Sequence, residues 1–382
     1  MARRIVVLGS TGSIGVQALE VAAASPELEV VGLSAASRWE ELVTQALATG
    51  ARRIALADPA AAERARSAWD GEVLVGPEGL TELVAGSGAD MVLNALVGSA
   101  GLAPTVTTLA EGIDLALANK ESLVVGGELV MSLAEGSGAR LIPVDSEHSA
   151  IAQLVEAEQA QRPGSIERLV LTASGGPFRG RSRDELEKVT VEEALRHPTW
   201  EMGGKITVDS ATLFNKGLEL IEAHHLFTMP YERIDVVVHP QSIVHSCVAL
   251  SDGALLAHLG HPDMKVPIAY ALLSPDRSLP GHRPLDLAEV GSLDFEPVDE
   301  EAFPAVSIAR SAGMAGGTAP AVMNAANEIA VAAFLDGRLP FPRITSLVAE
   351  VLGGVDTGPA TSFDALVEAD RQARATAGAL VA

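Results

Sequence analysis

Cysteine is almost missing from this chain: Cys247 is the single one. A disulfide within the chain is therefore excluded, which fits a reducing compartment. Cys247 lies in the apolar run Ile243-Val244-His245-Ser246-Cys247-Val248, where core packing is the expected role rather than nucleophilic attack. Aromatic residues are scarce as well, at 3% of the chain against 48% hydrophobic residues in all, so cores should be aliphatic and closely packed. Positive charge is short: 27 Lys and Arg stand against 50 Asp and Glu, a net charge of −23. Such a balance repels nucleic acid and anionic membrane, so neither is expected as a partner. It also repels anionic substrates at long range, so a phosphate site must be locally basic or rich in backbone N–H donors. No uninterrupted apolar run approaches membrane-spanning length. Residues 1–4 run directly into a strand pattern, which leaves no room for a signal or transit peptide, and the expected location is the cytoplasm.

The 382 residues suggest two or three domains. Strand-like runs occur at Arg4 to Leu8, Glu29 to Ser34, Arg53 to Ala57, Met91 to Asn94, Asp114 to Ala118 and Arg140 to Val144. Helical stretches separate them, an alternation that predicts a doubly wound parallel sheet, hence an α/β fold with a Rossmann-like first domain over 1–145. Further strand patterns at Ile166 to Thr172, Ile234 to Val238, Ser242 to Leu250 and Leu255 to Leu259 predict an α+β domain over 146–274. The Pro-rich tract 275–304 reads as a linker. The Ala-rich stretch 305–382, with breaks at Gly313 to Gly317, Gly337 to Pro342 and Gly353 to Pro359, predicts a small helical domain.

The loop Gly9-Ser10-Thr11-Gly12-Ser13-Ile14-Gly15 follows the first strand and opens a helix. That is the setting in which glycines let backbone N–H groups approach a dinucleotide pyrophosphate at a helix N-terminus. The alternative is a Gly-rich turn with no ligand. An NAD enzyme usually ends its second strand with an acid for the ribose hydroxyl. Here the chain continues Ala35-Ala36-Ser37-Arg38, with no acid before Glu40. Ser37 and Arg38 suit a 2′-phosphate, which favours NADPH; Arg38 as the mere start of the next helix is the competing reading.

The cluster Pro143-Val144-Asp145-Ser146-Glu147-His148 sits at a strand end, where α/β sheets place their sites. Two carboxylates and a hydroxyl are hard ligands for Mg²⁺ or Mn²⁺. Asp-Ser-Glu before a helix is equally an N-cap arrangement, with Ser146 or Asp145 as the cap. A third carboxylate comes from Asp209-Ser210-Ala211-Thr212-Leu213-Phe214-Asn215-Lys216-Gly217-Leu218-Glu219. Asp209 or Ser210 can cap a helix on which Thr212, Asn215, Lys216 and Glu219 form a polar stripe. A solvent-facing stripe with a Lys216–Glu219 pair is the plain alternative. Against it, Asn215 and Gly217 are poor helix formers.

Ser174-Gly175-Gly176-Pro177 follows a strand, and its successive amides can form an anion-binding nest. Ser210, Asn215 and Lys216 suit the same anion. The segment His197 to Lys205 has few regular elements, with Trp200 and Met202 among Pro and Gly, and reads as a movable lid or as a packed surface loop. His224, His225, His258 and His261 lack a Cys partner or a usual zinc spacing, and structural roles are expected for them.

Gly9 to Gly15, Ala118-Asn119-Lys120-Glu121-Ser122, Pro143 to His148, Ser174 to Phe178, His197 to Lys205, Val208 to Glu219 and His239-Pro240-Gln241-Ser242 occur in this order. Together they resemble the 1-deoxy-D-xylulose-5-phosphate reductoisomerases of the non-mevalonate isoprenoid route, across essentially the whole chain. The resemblance implies reductive rearrangement of 1-deoxy-D-xylulose 5-phosphate to 2-C-methyl-D-erythritol 4-phosphate, with NADPH and Mg²⁺ or Mn²⁺ (Co²⁺ is also admitted), in a homodimer. It implies that Gly9, Thr11, Gly12, Ser13 and Ile14 hold NADPH with Asn119, Glu121 and Gly203. Ala36, Ser37 and Arg38 stand where the family often has Gly-Lys-Asn. Asp145, Glu147 and Glu219 are the implied cation ligands. Lys120, Ser146, Glu147 and Glu219 are implied at the reacting end of the substrate. Ser174, His197, Ser210, Asn215 and Lys216 are implied chiefly at its phosphate. Trp200 is implied to cover the site and Met264 to line it.

Two other readings are carried. One is a different Rossmann-type reductase, such as a semialdehyde or homoserine dehydrogenase; the former needs a catalytic cysteine. The other is a non-enzymatic NADPH-binding sensor.

Overall fold

β-Branched runs bounded by turn residues become strands, and the Ala-rich stretches between them become helices. The computed structural model describes every residue except 1, 201, 278–280, 361 and 382. The first half runs β1 (Arg3–Leu8), α1 (Ser13–Ala24), β2 (Leu28–Ala35), α2 (Trp39–Thr49), β3 (Arg53–Leu56), α3 (Pro59–Ala68), β4 (Glu72–Val75) and α4 (Gly76–Gly86). It continues with β5 (Met91–Asn94), α5 (Leu102–Ala110), β6 (Asp114–Leu117), α6 (Lys120–Ser137), β7 (Leu141–Pro143) and α7 (Ser146–Gln159). The seven strands pair in the order β4-β3-β2-β1-β5-β6-β7, all parallel. This is the doubly wound sheet the alternation predicts. The order reverses at β1, so the β1–α1 loop lies at the switch point where such sheets bind ligands. Strand β4 was not among the expected strands. It is four residues long, and its signal is the flanking turns Asp70-Gly71 and Gly76-Pro77.

The second half runs β8 (Ile166–Ala173), α8 (Arg183–Leu186), α9 (Val191–Ala194), α10 (Gly204–Thr212), α11 (Phe214–Phe227), β9 (Ile234–Val238), β10 (Val244–Leu250) and β11 (Leu255–Leu259). Then come α12 (Lys265–Leu273), α13 (Leu287–Val290), β12 (Glu296–Pro297), α14 (Ala305–Ala315), α15 (Ala319–Leu335), α16 (Phe341–Gly354) and α17 (Phe363–Val381). A five-stranded mixed sheet has the order β11-β10-β8-β9-β12.

The chain forms two compact units: Met1–Ser122, Val130–Ser149 and Asp263–His282 make the first, and Leu123–Leu129, Ala150–Pro262 and Arg283–Ala382 the second. This cuts the chain differently from the expected division 1–145, 146–274, 275–304 and 305–382. Residues 263–282 return to the first unit because α12 buries Ile268, Ala269 and Leu272 in its core. Lys265 at the start of that helix also pairs with Glu20 of α1 at 2.5 Å. The core of the terminal helices is continuous with that of the second sheet. Val306, Val322 and Ile344 share one with Leu169 and Leu171 of β8 and Phe214 of α11. Each such fully buried aliphatic side chain contributes about 1.5–3 kcal/mol, so separating the tail from the second sheet would be costly. The tract read as a linker carries α13 and pairs β12 onto β9.

Candidate active site

In the first unit the glycines of the β1–α1 loop are enforced by contact. A Cβ on Gly15 would stand 2.4 Å from the Gly9 carbonyl oxygen and from the Ser10 Cα. Gly9 has φ +77°, and a Cβ there would stand 2.7 Å from the Ala95 carbonyl oxygen. The backbone turns tightly enough that only glycine fits. Ser10 is buried, donates to Gln45 Oε1 at 2.7 Å, and its carbonyl accepts from Gln45 Nε2 at 3.0 Å. Helix α1 starts with no side-chain cap and no acid in its first turn. Its N-terminal N–H groups and dipole are thus left for an anion, which is what a pyrophosphate needs. Thr11 is buried, Ile14 half-buried, and Ser13 exposed as the first helical residue.

Ala36, Ser37 and Arg38 lie exposed beyond β2. Arg38 does begin a helix: it is the N-cap of α2, and its guanidinium sits 3.0 Å from Glu41 in an exposed pair. Both sequence readings of Arg38 are therefore compatible, since an exposed pair of this kind is weak and readily exchanged for a phosphate.

Asn119 caps α6, its Oδ1 accepting from Ser122 N at 3.0 Å. Its Nδ2 donates to the carbonyls of Leu96 and Gly98, both at 2.9 Å, and to Glu121 Oε2 at 3.0 Å. The side chain thus braces the loop after β5, and the Asn119 backbone N–H donates to the Asn94 carbonyl at 2.9 Å. Glu121 is buried in the first turn.

At the end of β7, Asp145 serves both of its sequence readings. Its Oδ1 accepts from the N–H groups of Glu147, at 3.2 Å, and His148, at 3.5 Å, so Asp145 rather than Ser146 caps α7. Its Oδ2 faces the Lys120 ammonium at 2.9 Å. His148, fully buried, lies 3.2 Å from Oδ1 and is a neighbour the motif reading had given no role. Ser146 Oγ donates to Glu147. One loop therefore offers two carboxylates and a hydroxyl, a hard oxygen set that fits a divalent cation such as Mg²⁺.

In the second unit, Asp209 and Ser210 do not cap the helix that carries Glu219. They lie in the last turn of α10, Leu213 breaks the chain with φ +64°, and α11 starts at Phe214. The polar stripe does not face solvent. Lys216 and Glu219 side chains are 3% and 1% exposed, are ion-paired, and Asn215 Nδ2 donates to Glu219 Oε1 at 2.5 Å. Gly217 is explained by packing: a Cβ there would stand 2.7 Å from Ala309 Cβ, so glycine lets α14 close on α11.

Ser174, Gly175 and Gly176 form the expected turn after β8, with φ +83° and +66° at the glycines. A Cβ on Gly176 would stand 2.8 Å from the Ser210 carbonyl oxygen, so this turn and the end of α10 touch. His197 Nδ1 accepts the N–H groups of Thr199 at 3.1 Å and Trp200 at 2.9 Å. Nε2 therefore carries the proton and donates to Ser174 Oγ at 2.9 Å. Burial pushes His197 down to about 4, so it is a neutral donor at physiological pH. Ser174 Oγ also accepts from Gly176 N at 3.2 Å, which leaves its own proton to donate. Trp200 is half-buried. Of the segment read as a lid, residues 197–200, 202 and 203 are without regular structure and residue 201 lies outside the described residues, while Gly204 and Lys205 already belong to α10, with Gly203 as its exposed N-cap.

Met264, in the first unit, is half-buried against that unit's core. His239 supports the turn of the His239-Pro240-Gln241-Ser242 motif: Nε2 accepts from Ile243 N at 3.2 Å and Nδ1 lies 2.8 Å from the Asp294 carbonyl. His224 lies in the last turn of α11 with Nδ1 on the Met229 carbonyl at 2.8 Å and its ring stacked on Tyr231. Cys247 is buried and its thiol is pushed up to about 11, which removes it as a nucleophile.

Three family models match the chain: 1-deoxy-D-xylulose 5-phosphate reductoisomerase over residues 5–127, the C-terminal domain of that enzyme over 141–227, and a DXP reductoisomerase C-terminal domain over 259–376. A 1-deoxy-D-xylulose 5-phosphate reductoisomerase from Nocardia farcinica is 54% identical, over 99% of this chain and 94% of the relative. One from Rhodococcus jostii is 53% identical over the same shares. A solved reductoisomerase from Zymomonas mobilis in complex with NADPH superposes with a TM-score of 0.91 at 40% identity, covering 100% of this chain and 99% of the other. Another, in complex with NADPH, fosmidomycin and magnesium, superposes with a TM-score of 0.92 at 38% identity, covering 99% and 98%.

Proposed function

The chain belongs to the 1-deoxy-D-xylulose 5-phosphate reductoisomerase family, and on that basis we propose how its residues rearrange and reduce 1-deoxy-D-xylulose 5-phosphate to 2-C-methyl-D-erythritol 4-phosphate. What supports the reading most is the Asp145-Ser146-Glu147 loop beside Lys120: ligands for a hard cation and positive charge for reacting oxygens stand in one place. Bound, the cation supplies Lewis acidity to the substrate's carbonyl and hydroxyl oxygens, and NADPH supplies hydride.

Asp145, Glu147 and Glu219 hold the cation, Mg²⁺ or Mn²⁺ with Co²⁺ as a substitute. Lys120 offers its ammonium to the reacting oxygens, and Ser146 orients them. Ser174, His197, Ser210, Asn215 and Lys216 hold the phosphate; the neutral His197 braces Ser174, and Lys216 brings the charge that an acidic protein otherwise lacks. Anchoring the phosphate supplies orientation and remote binding energy for the step at the other end. Trp200 covers the substrate and excludes water, and Met264 lines the site. Gly9, Thr11, Gly12, Ser13 and Ile14 hold the pyrophosphate, Ala36, Ser37 and Arg38 the 2′-phosphate, with Asn119, Glu121 and Gly203 completing the cofactor's contacts. The working form is a homodimer in the cytoplasm; the open edge strand β11, with Leu255 58% exposed, is one surface suited to a second copy.

The test is NADPH oxidation by the purified chain with 1-deoxy-D-xylulose 5-phosphate. Oxidation is expected to need substrate and divalent cation, to stop in EDTA, and to return with Mg²⁺. Oxidation indifferent to EDTA would move the chain to the other Rossmann-type reductases, and none at all would leave an NADPH-binding sensor.

A further inference from the structure

Asp209 is 1% exposed in the last turn of α10, and a carboxylate so buried needs partners for both oxygens. Lys205 Nζ stands 2.9 Å from Oδ2, and Asn327 Nδ2, from the fully buried face of α15, donates to Oδ1 at 2.8 Å. The Lys205–Asp209 pair does not serve α10 as a helix. A lysine in the first turn meets the positive end of the dipole, and lysine four residues before an acid is the poorer order. The pair ties the start of the helix to its end, and Asn327 ties both to the terminal bundle.

Ser210 is the next residue, and its carbonyl is what the Ser174–Gly176 turn packs against. A shift of this last turn would carry Ser210 and that turn with it. At the other end of α10, Gly203 is exposed with open space around it, whereas a Cβ on Gly204 would meet Leu195 and Leu335 at 3.8 and 3.9 Å.

We propose that Asp209 is a positioning residue: gripped by Lys205 and Asn327, it holds the end of α10 in the orientation that presents Ser210 and the Ser174 turn to the substrate phosphate. The proposal rests on the phosphate-binding role given to Ser174 and Ser210 above. Its test is steady-state kinetics of Asn327→Leu and Lys205→Met, with Lys205→Arg as the conservative rescue. KM for 1-deoxy-D-xylulose 5-phosphate should rise about tenfold in the first two, the scale of a lost charge-assisted hydrogen bond. KM for NADPH and kcat should stay within about threefold, and Lys205→Arg should recover most of the loss. An unchanged substrate KM would overturn the proposal. So would a joint worsening of both KM values and kcat, which marks diffuse damage. If Asn327→Leu does not fold, Lys205→Met, whose side chain is 17% exposed, decides alone. If the unmodified protein does not turn over the substrate, the functional reading fails instead. Calorimetric binding of inorganic phosphate then judges the proposal: about tenfold weaker binding in the variants supports it, and equal binding overturns it.

Discussion

At Asp145 a single carboxylate carries two duties on two oxygens: Oδ1 caps α7 while Oδ2 meets Lys120. The duties can be separated, because asparagine caps a helix about as well as aspartate but is a far weaker cation ligand. Asp145→Asn should therefore keep α7 capped, lose stability only through the broken Lys120 pair, and lose about 100-fold or more in kcat/KM at limiting Mg²⁺. Calorimetric Mn²⁺ binding and thermal melts read the two halves; wild-type turnover with normal Mn²⁺ binding would leave Asp145 a cap only. His197 and His225 carry a pH signature. Burial lowers each from 6.5 to about 4. Between those values the unfolded chain binds protons that the folded one refuses, so stability falls as pH is lowered through this window. Melting temperatures from pH 7 to pH 4.5 should show the fall, and His225→Gln should reduce it while leaving the His197 part.

At the scale of elements, the β1–α1 loop is set by the closeness of Gly15 to Gly9 and Ser10. Gly15→Ala forces the start of α1 off the loop, an overpacking cost of roughly 1–3 kcal/mol. KM for NADPH should rise about tenfold or more while KM for the sugar phosphate stays near its starting value, since the lesion is confined to cofactor contacts. Parallel kinetics with each substrate varied in turn check this, and a change confined to the sugar phosphate would contradict it. The α10–α11 break shows what a polar stripe alone conceals. Thr212, Asn215, Lys216 and Glu219 keep helical spacing on paper, yet Leu213 with φ +64° divides them between two helices. Nothing about a leucine signals a left-handed residue; it persists because its side chain is buried in the surrounding core.

Over the whole molecule the governing number is the net charge of −23. Substrate and cofactor are both polyanions, so long-range repulsion opposes their approach until local donors take over. Raising ionic strength from about 10 to about 150 mM at fixed free Mg²⁺ should raise kcat/KM, because the Debye length shrinks from about 30 to about 8 Å. A steady fall over that range would instead show that Lys216 and Arg38 dominate the approach. The domain boundaries are also a property of the whole. The Pro-rich composition of 275–304 predicts a linker, and the Ala-rich tail predicts a separate helical domain. Packing joins both to the second sheet, because β12 pairs onto β9 and the tail's aliphatic faces share one core with β8 and α11.

What the sequence determined by itself was whatever local chemistry dictates. The Gly9 to Gly15 turn, the alternation of strands and helices, the neutral-to-basic end of β2 and the oxygen ligands at 145–147 are all spelled in residues close in the chain. Only the tertiary structure decided the rest. It showed that the 216–219 pair is buried, that Gly217 admits α14, that Asn119 spends its side chain on the loop after β5, and that Asp209 is gripped from α15, 118 residues away. Those outcomes depend on which faces meet in a close-packed interior, and periodicity can name a face without naming its neighbour.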